Sequence, residues 1–324
     1  MKRFWIAGFA LAVLGLGLLA CEGDVETSAP EAEPAAVAPA QGEATPSVIP
    51  AAAGAPAAPA AARAGAAGKP NQIIVDGSTT VGPIAKAFAE YYKAEHPEVN
   101  ITVSESGSGN GAKGLINKTI DVGDMSRFMK PNEFQAAVNN GVLPVAFTVA
   151  MDGLPILVHP SNPVKGLTLD QVHDIFAGKI QNWKQVGGPS QKIVKVSRDT
   201  NSGTYETFET VVMRGDKIAG DTEYVGSNGA VKQRVQATPA AIGYAGLGFV
   251  DASVRALPIN GIAPDAQTVS SGKYPIARPL FMFTNGHPEL GTPLHEFVTL
   301  FLTPKGQELV EDVGFVPVTS YGAQ

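Results

Sequence analysis

From Gln72 onward the chain alternates short apolar runs with amphipathic stretches. Gln72 to Val75 reads as a strand closed by Asp76-Gly77. Pro83 suits the first turn of a following helix, whose Ile84, Phe88, Tyr91 and Tyr92 share one face. Asn100 to Ser104 predicts a second strand, Gly107 to Gly111 a tight polar loop, Ala112 to Asn117 a short helix and Thr119 to Val122 a third strand. Pro144 to Ala150 and Leu154 to His159 are apolar strands flanking Asp152-Gly153. Thr168-Leu169-Asp170-Gln171 has the form of a capping box, with Val172, Ile175 and Phe176 facing inward and Gly178 as the stop. Thr303-Pro304 opens a last helix that runs through Val310. Repeated strand–helix units predict an α/β fold with mainly parallel pairing. A folded part spanning residues 71–324 is large enough to divide into two lobes around a cleft.

The first 70 residues do not share this pattern. Lys2 and Arg3 precede an uncharged, mostly apolar run from Phe4 to Ala20, short for a membrane span and suited to a secretory signal. The run ends Leu18-Leu19-Ala20-Cys21, which resembles the bacterial lipobox, so residues 1–20 are expected to be a lipoprotein signal peptide and Cys21 the lipidated first mature residue. A short transmembrane anchor is the alternative. Of residues 21–70, 27 of 50 are Ala or Pro and none is aromatic. Such a stretch buries too little apolar surface to offset its ordering entropy, and reads as a disordered stalk. The folded part is therefore expected outside the cytoplasmic membrane, tethered to it by lipid.

Composition narrows the function. A formal charge of −6 argues against nucleic-acid binding, which needs a basic surface. A single cysteine excludes an internal disulfide framework and any multi-cysteine zinc site. The five histidines lack metal-ligand spacing, so no metal or cofactor is expected.

The candidate chemistry lies in three polar loops, each opening a helix. Gly77-Ser78-Thr79-Thr80 leads into the first, Ser106-Gly107-Ser108-Gly109-Asn110-Gly111 into the second, and Asn201-Ser202-Gly203-Thr204 into a third with Phe208, Val211 and Val212 inward. Unpaired N–H groups and the positive end of the helix dipole make such starts anion sites. Arg127 and Arg198, in Ser126-Arg127 and Ser197-Arg198, add guanidinium groups able to grip an oxyanion through paired hydrogen bonds. A lone serine before a helix ordinarily serves only as its cap. Three such loops with two nearby arginines suggest one small tetrahedral anion.

These residues resemble the phosphate-binding proteins of bacterial ABC transporters, a branch of the type II periplasmic binding proteins. The likeness runs through Asp76 to Phe88, Ser106 to Arg127, Asn162 to Gly188, Arg198 to Phe208, Ala241 to Phe249 and Tyr274 to Phe283. It implies a two-lobed fold with a central cleft, one lobe from 71–150 plus 248–324 and the other from 151–247. Two hinge crossings would lie near Asp152-Gly153 and Tyr244 to Phe249. It implies phosphate ligands at Ser78, Thr79, Ser108, Ser126, Arg127, Ser202, Gly203 and Thr204, with Arg198 near the same site. It further implies a monomer that captures inorganic phosphate and hands it to permease subunits by cleft closure, without catalysis. Some family members carry an acid directly after the serine where this chain has Arg127. A proton acceptor for hydrogen phosphate is then sought at Asp152, Asp121 or Asp199, in that order. Without one, sulfate or a molybdate-type anion would compete.

Two enzyme readings are weaker. Gly109 to Gly114 matches GxGxxG, but a dinucleotide site would leave the other two loops unexplained. An exported phosphatase-like enzyme would need a metal cluster or an activated nucleophile, and no GxSxG elbow is present.

Overall fold

The computed structural model describes residues 71–319; the expected signal peptide, lipidated Cys21 and stalk lie outside the described residues. The first lobe is laid down as β1 (Gln72–Gly77), α1 (Gly82–Glu95), β2 (Asn100–Val103), α2 (Ser108–Ile116), β3 (Val122–Met125), α3 (Pro131–Asn139) and β4 (Pro144–Gly153). The second comprises β5 (Ile156–Val158), α4 (Leu169–Phe176), β6 (Val194–Arg198), α5 (Gly203–Phe208), β7 (Glu223–Val225), α6 (Asn228–Gln236), β8 (Ala241–Tyr244) and β9 (Arg255–Leu257). After α7 (Ala266–Ser270), the chain returns to the first lobe with β10 (Ala277–Asn285), α8 (Pro293–Thr299) and α9 (Pro304–Asp312).

Each lobe holds a five-stranded sheet, ordered β2-β1-β3-β10-β4 in the first and β7-β6-β8-β5-β9 in the second. Pairing is mixed rather than mainly parallel. β1 runs parallel to β2 and β3, and β6 parallel to β7 and β8, but β10 is antiparallel to both neighbours and so is β5. The antiparallel strands are those by which the chain enters or leaves a lobe. The return also comes later than residue 248, because β9 still pairs with β5 in the second sheet. One crossing lies at Gly153-Leu154; the other lies not at Tyr244 to Phe249, which stay within the second lobe, but at Ile276-Ala277, where Leu154 N donates to Ile276 O at 2.8 Å.

Local sequence explains most elements. β1 alternates half-buried and buried residues, and its Ile73 and Val75 pack against Ile84, Ala85 and Phe88 of α1. Each large apolar side chain so buried contributes about 1.5–3 kcal/mol. Thr168 caps α4 with the full capping box, and Gly178 follows in the left-handed region at φ 81°. Trp183 is fully buried in the second lobe and donates its indole N–H to Ala240 O at 2.9 Å.

Two elements differ from expectation. α2 starts at Ser108, so the polar loop supplies its first turn; Gly107, at φ 104°, sets the entry and donates its N–H to Gly77 O at 2.7 Å. β3 begins at Val122 rather than Thr119, because Lys118 takes a left-handed turn at φ 57° after α2 and the Asp121 carboxylate accepts from Ile74 N at 2.8 Å.

Candidate functional site

The three polar loops meet between the lobes. Ser78 turns the chain from β1 into α1: its hydroxyl accepts from Thr80 N at 3.1 Å and its carbonyl from Gly82 N at 2.9 Å. Thr79 and Thr80 then face the start of α6, where Asn228 Nδ2 donates to both hydroxyls at 3.0 and 2.9 Å. The Thr80 hydroxyl also bonds that of Thr204, at the start of α5, at 3.0 Å. Ser108 lies against Ser126, accepting from Ser126 N at 3.1 Å, with the two hydroxyls 3.3 Å apart.

Gly203 completes the convergence from the second lobe. A Cβ there would stand 2.6 Å from the Ser108 hydroxyl, 2.7 Å from that of Ser126 and 3.1 Å from Arg127 Cγ, so only glycine fits this approach. Ser202 caps α5, accepting from Thr204 N at 3.1 Å. Asn201 reaches across to the first lobe, its Nδ2 donating to Ser106 O at 2.9 Å and its carbonyl accepting from Gly109 N at 3.0 Å. The lobes are therefore in their closed arrangement.

Two arginines lie inside. Arg198 ends β6 and is almost wholly buried. Its Nε and Nη2 donate to Val225 O and Gly226 O at 3.3 and 2.9 Å, while Nη1 has no partner. Burial pulls its pKa down to about 10, so it stays charged at neutral pH. Arg278 on β10 donates through Nη2 to Thr204 at 2.9 Å and through Nη1 to Thr207 at 3.2 Å, and it pairs with Asp152 at 2.9 Å. Burial pushes Asp152 up and Arg278 down, each toward its neutral form, and the ion pair opposes both shifts.

The structure thus gathers Ser78, Thr79, Ser108, Ser126, Ser202, Gly203 and Thr204 in one place, with Arg198 bonded to the turn at Gly226 that leads into Asn228. Arg127 stands apart in its chemistry. Its Nη1 and Nη2 bond Glu133 at 2.7 and 2.8 Å; its Nε lies 2.6 Å from Glu206 Oε2, an ion pair whose angle leaves the Nε–H without a hydrogen bond. Every nitrogen of its guanidinium faces a carboxylate of the chain, so an anion would have to displace one. Each sought proton acceptor is bonded within the protein, Asp152 through both oxygens and the other two through one. Asp152 takes Arg278 and, at 2.8 Å, Leu247 N; Asp121 takes Ile74 N; Asp199 takes Asn201 N at 2.9 Å. Asp124, buried with neither carboxyl oxygen partnered, was not among the sought proton acceptors. Its pKa is raised well above the usual range, first by burial and then by Asp76 and Glu105.

Thr80, although in the first candidate loop, was not among the expected ligands, and neither were Asn228 and Arg278. Ser227-Asn228-Gly229 is a fourth polar loop opening a helix, with Ser227 capping α6. An arginine inside the apolar run Tyr274 to Phe283 signals a buried partner, but not which one. The GxGxxG glycines serve packing: a Cβ at Gly111 would meet the backbone of Asp76, Gly77 and Asp124 at 2.9–3.0 Å. Among the described residues, no group of three or more His, Cys, Asp or Glu is placed to hold a metal ion.

Two lobes that close over helix starts define a periplasmic-binding-protein fold, and a PBP superfamily domain matches residues 58–304. The chain is 34% identical over 250 residues to the phosphate-binding protein PstS of Bacillus subtilis, covering 76% of this chain and 81% of that one. It is 33% identical over 270 residues to PstS of Pseudomonas aeruginosa, covering 76% and 83%. A phosphate-bound crystal structure of a putative phosphate ABC transporter substrate-binding protein from Clostridium perfringens aligns with TM-score 0.71 at 33% identity, covering 77% of this chain and 100% of that one. The chain belongs to the PstS family of phosphate-binding proteins.

Proposed function

We propose that this protein binds inorganic phosphate between its lobes and delivers it to an ABC permease, without turnover. The Arg198 Nη1, buried, charged and unpartnered in the protein, carries the reading. A buried guanidinium left with a free donor is costly unless a ligand takes it. Around it, Ser78, Thr79, Ser108, Ser126, Ser202 and Thr204 offer hydroxyl and amide hydrogens without added charge, and Gly203 brings the α5 start close. Asn228 reaches Thr79 and Thr80 from the same helix start that follows Gly226, an Arg198 acceptor. Asp152 holds Arg278 in place rather than receiving a proton from the ligand. The anion would bridge the lobes and favour the closed form over the open one. Among the described residues no helix is long and apolar enough to cross a membrane; a lipid on Cys21 would provide the tether.

Calorimetric titration with phosphate, sulfate and molybdate tests the function. One phosphate bound per chain is expected; with Asp152, Asp121 and Asp199 each bonded within the protein, sulfate and molybdate are expected to compete. Absence of phosphate binding overturns the function, and strict exclusion of sulfate would mean that another acid reads the phosphate proton.

A further inference from the structure

Resting on the phosphate-binding reading, we propose that Arg127 and Lys130 of the first lobe, gripping Glu206 of the second, form an electrostatic latch at the mouth of the cleft that sets how slowly bound phosphate leaves. Glu206 Oε2 lies 2.6 Å from Arg127 Nε and its Oε1 2.9 Å from Lys130 Nζ, so both oxygens are held by cations of the opposite lobe. The Arg127, Glu133 and Glu206 side chains are only 8%, 17% and 15% exposed. Partly dehydrated pairs are screened less than surface ones.

The members of the cluster divide cleanly between the lobes. Glu133, in the first turn of α3, chelates Arg127 and accepts from Lys130 N at 2.9 Å, all within the first lobe. It orients Arg127 whatever the lobes do. Glu206 is the only member on the second lobe, three residues beyond Gly203 on α5 and so close to the same helix face. Opening the cleft carries Glu206 away from both cations. A contact made only in the closed form stabilises that form alone and slows its opening. With two cations and two carboxylates the cluster is formally neutral, so it adds little to the pull on an approaching anion.

Stopped-flow measurement on the full chain tests the latch. Glu206→Gln is expected to raise the phosphate release rate about five- to tenfold, between the scale of an exposed ion pair and that of a buried one, with the association rate nearly unchanged. Lys130→Gln, at the exposed edge, raises release about two- to threefold. Raising salt from about 0.05 to 0.5 M, which shortens the screening length roughly threefold, speeds release from the unaltered protein but not from Glu206→Gln. Combining Arg127→Ala with Glu206→Gln gives less than the product of the single effects. Unchanged release in Glu206→Gln, or losses that multiply fully in the double variant, overturns the latch and returns Arg127 to the ligand shell. Paired spin labels across the cleft read the latch without ligand. Glu206→Gln shifts the population toward wider separations, and identical distributions overturn the latch whether or not phosphate binds.

Discussion

The dipeptide Ser-Arg stands at the C-terminal end of an inner strand in each lobe, Ser126-Arg127 after β3 and Ser197-Arg198 at the end of β6, yet the two arginines meet opposite surroundings. Arg198 is held by two backbone carbonyls, which orient the guanidinium and leave Nη1 free, and its one carboxylate neighbour, the half-exposed Asp199, stands off at 3.9 Å from Nη2. Arg127 is held by two hydrogen bonds to the Glu133 carboxylate and by an ion pair with Glu206, so two carboxylates neutralise it even though its Nε makes no hydrogen bond. One position keeps a charge available in a dry interior; the other spends it on joining two bodies. What separates them is the partner supplied by distant chain, not the arginine or its neighbour in sequence.

The contrast can be broken at several points. The largest effect is expected inside, at Asp152→Ala. Arg278 would be left buried and unpaired, lowering unfolding free energy by about 3–5 kcal/mol in urea denaturation; a loss below 1 kcal/mol would mean that Arg278 finds another counter-charge. Next comes Arg198→Ala, which should weaken phosphate binding about a hundredfold by calorimetry, near the upper end for a charge-assisted hydrogen bond. A smaller loss than that caused by Arg127→Ala would invert the comparison. Gly203→Ala puts a methyl group against the Ser108 and Ser126 hydroxyls. It should lower affinity by about 1–3 kcal/mol, the usual range for overpacking, while leaving the melting temperature nearly unchanged, because the clash exists only when the lobes meet.

The smallest effect concerns Asp124. Its native carboxyl keeps its proton to higher pH than the same group does in the unfolded chain. Over that interval the native state binds more protons, so stability falls as pH rises above the ordinary aspartate range. Asp124→Asn removes that slope and should raise stability by about 1 kcal/mol at pH 8 relative to pH 4, the scale of one unsatisfied buried group. Parallel stability–pH curves for the two proteins would show Asp124 to be paired in solution.

Much of this was legible in the chain. Hydroxyl-rich loops before helices carry a local signal, because caps and helix starts are set by residues within one turn, and all three loops converge. The two-lobed fold followed from length and alternation. Three features were not legible for a shared physical reason. The late return through β10, the Asp152–Arg278 pair and the carboxylates around Arg127 depend on which distant segments come together. Neither 126 residues of separation between an aspartate and its arginine nor 79 between Arg127 and Glu206 leaves a periodic trace. Strand direction was missed similarly: short apolar runs look alike whichever way they point.

The paired crossings between the lobes have a mechanical consequence. Leu154 and Ile276 are hydrogen-bonded to each other, Ala277 faces Gly153 in the ladder, and Met151 exchanges both backbone bonds with Val316 near the C-terminal end. Three chain segments laced side by side can twist together but cannot slide past one another without parting those bonds. Motion between the halves is thereby confined to something close to a single angular coordinate, and the tail around Val316, riding on that axis rather than on either rim, is a place where a small optical tag would travel least.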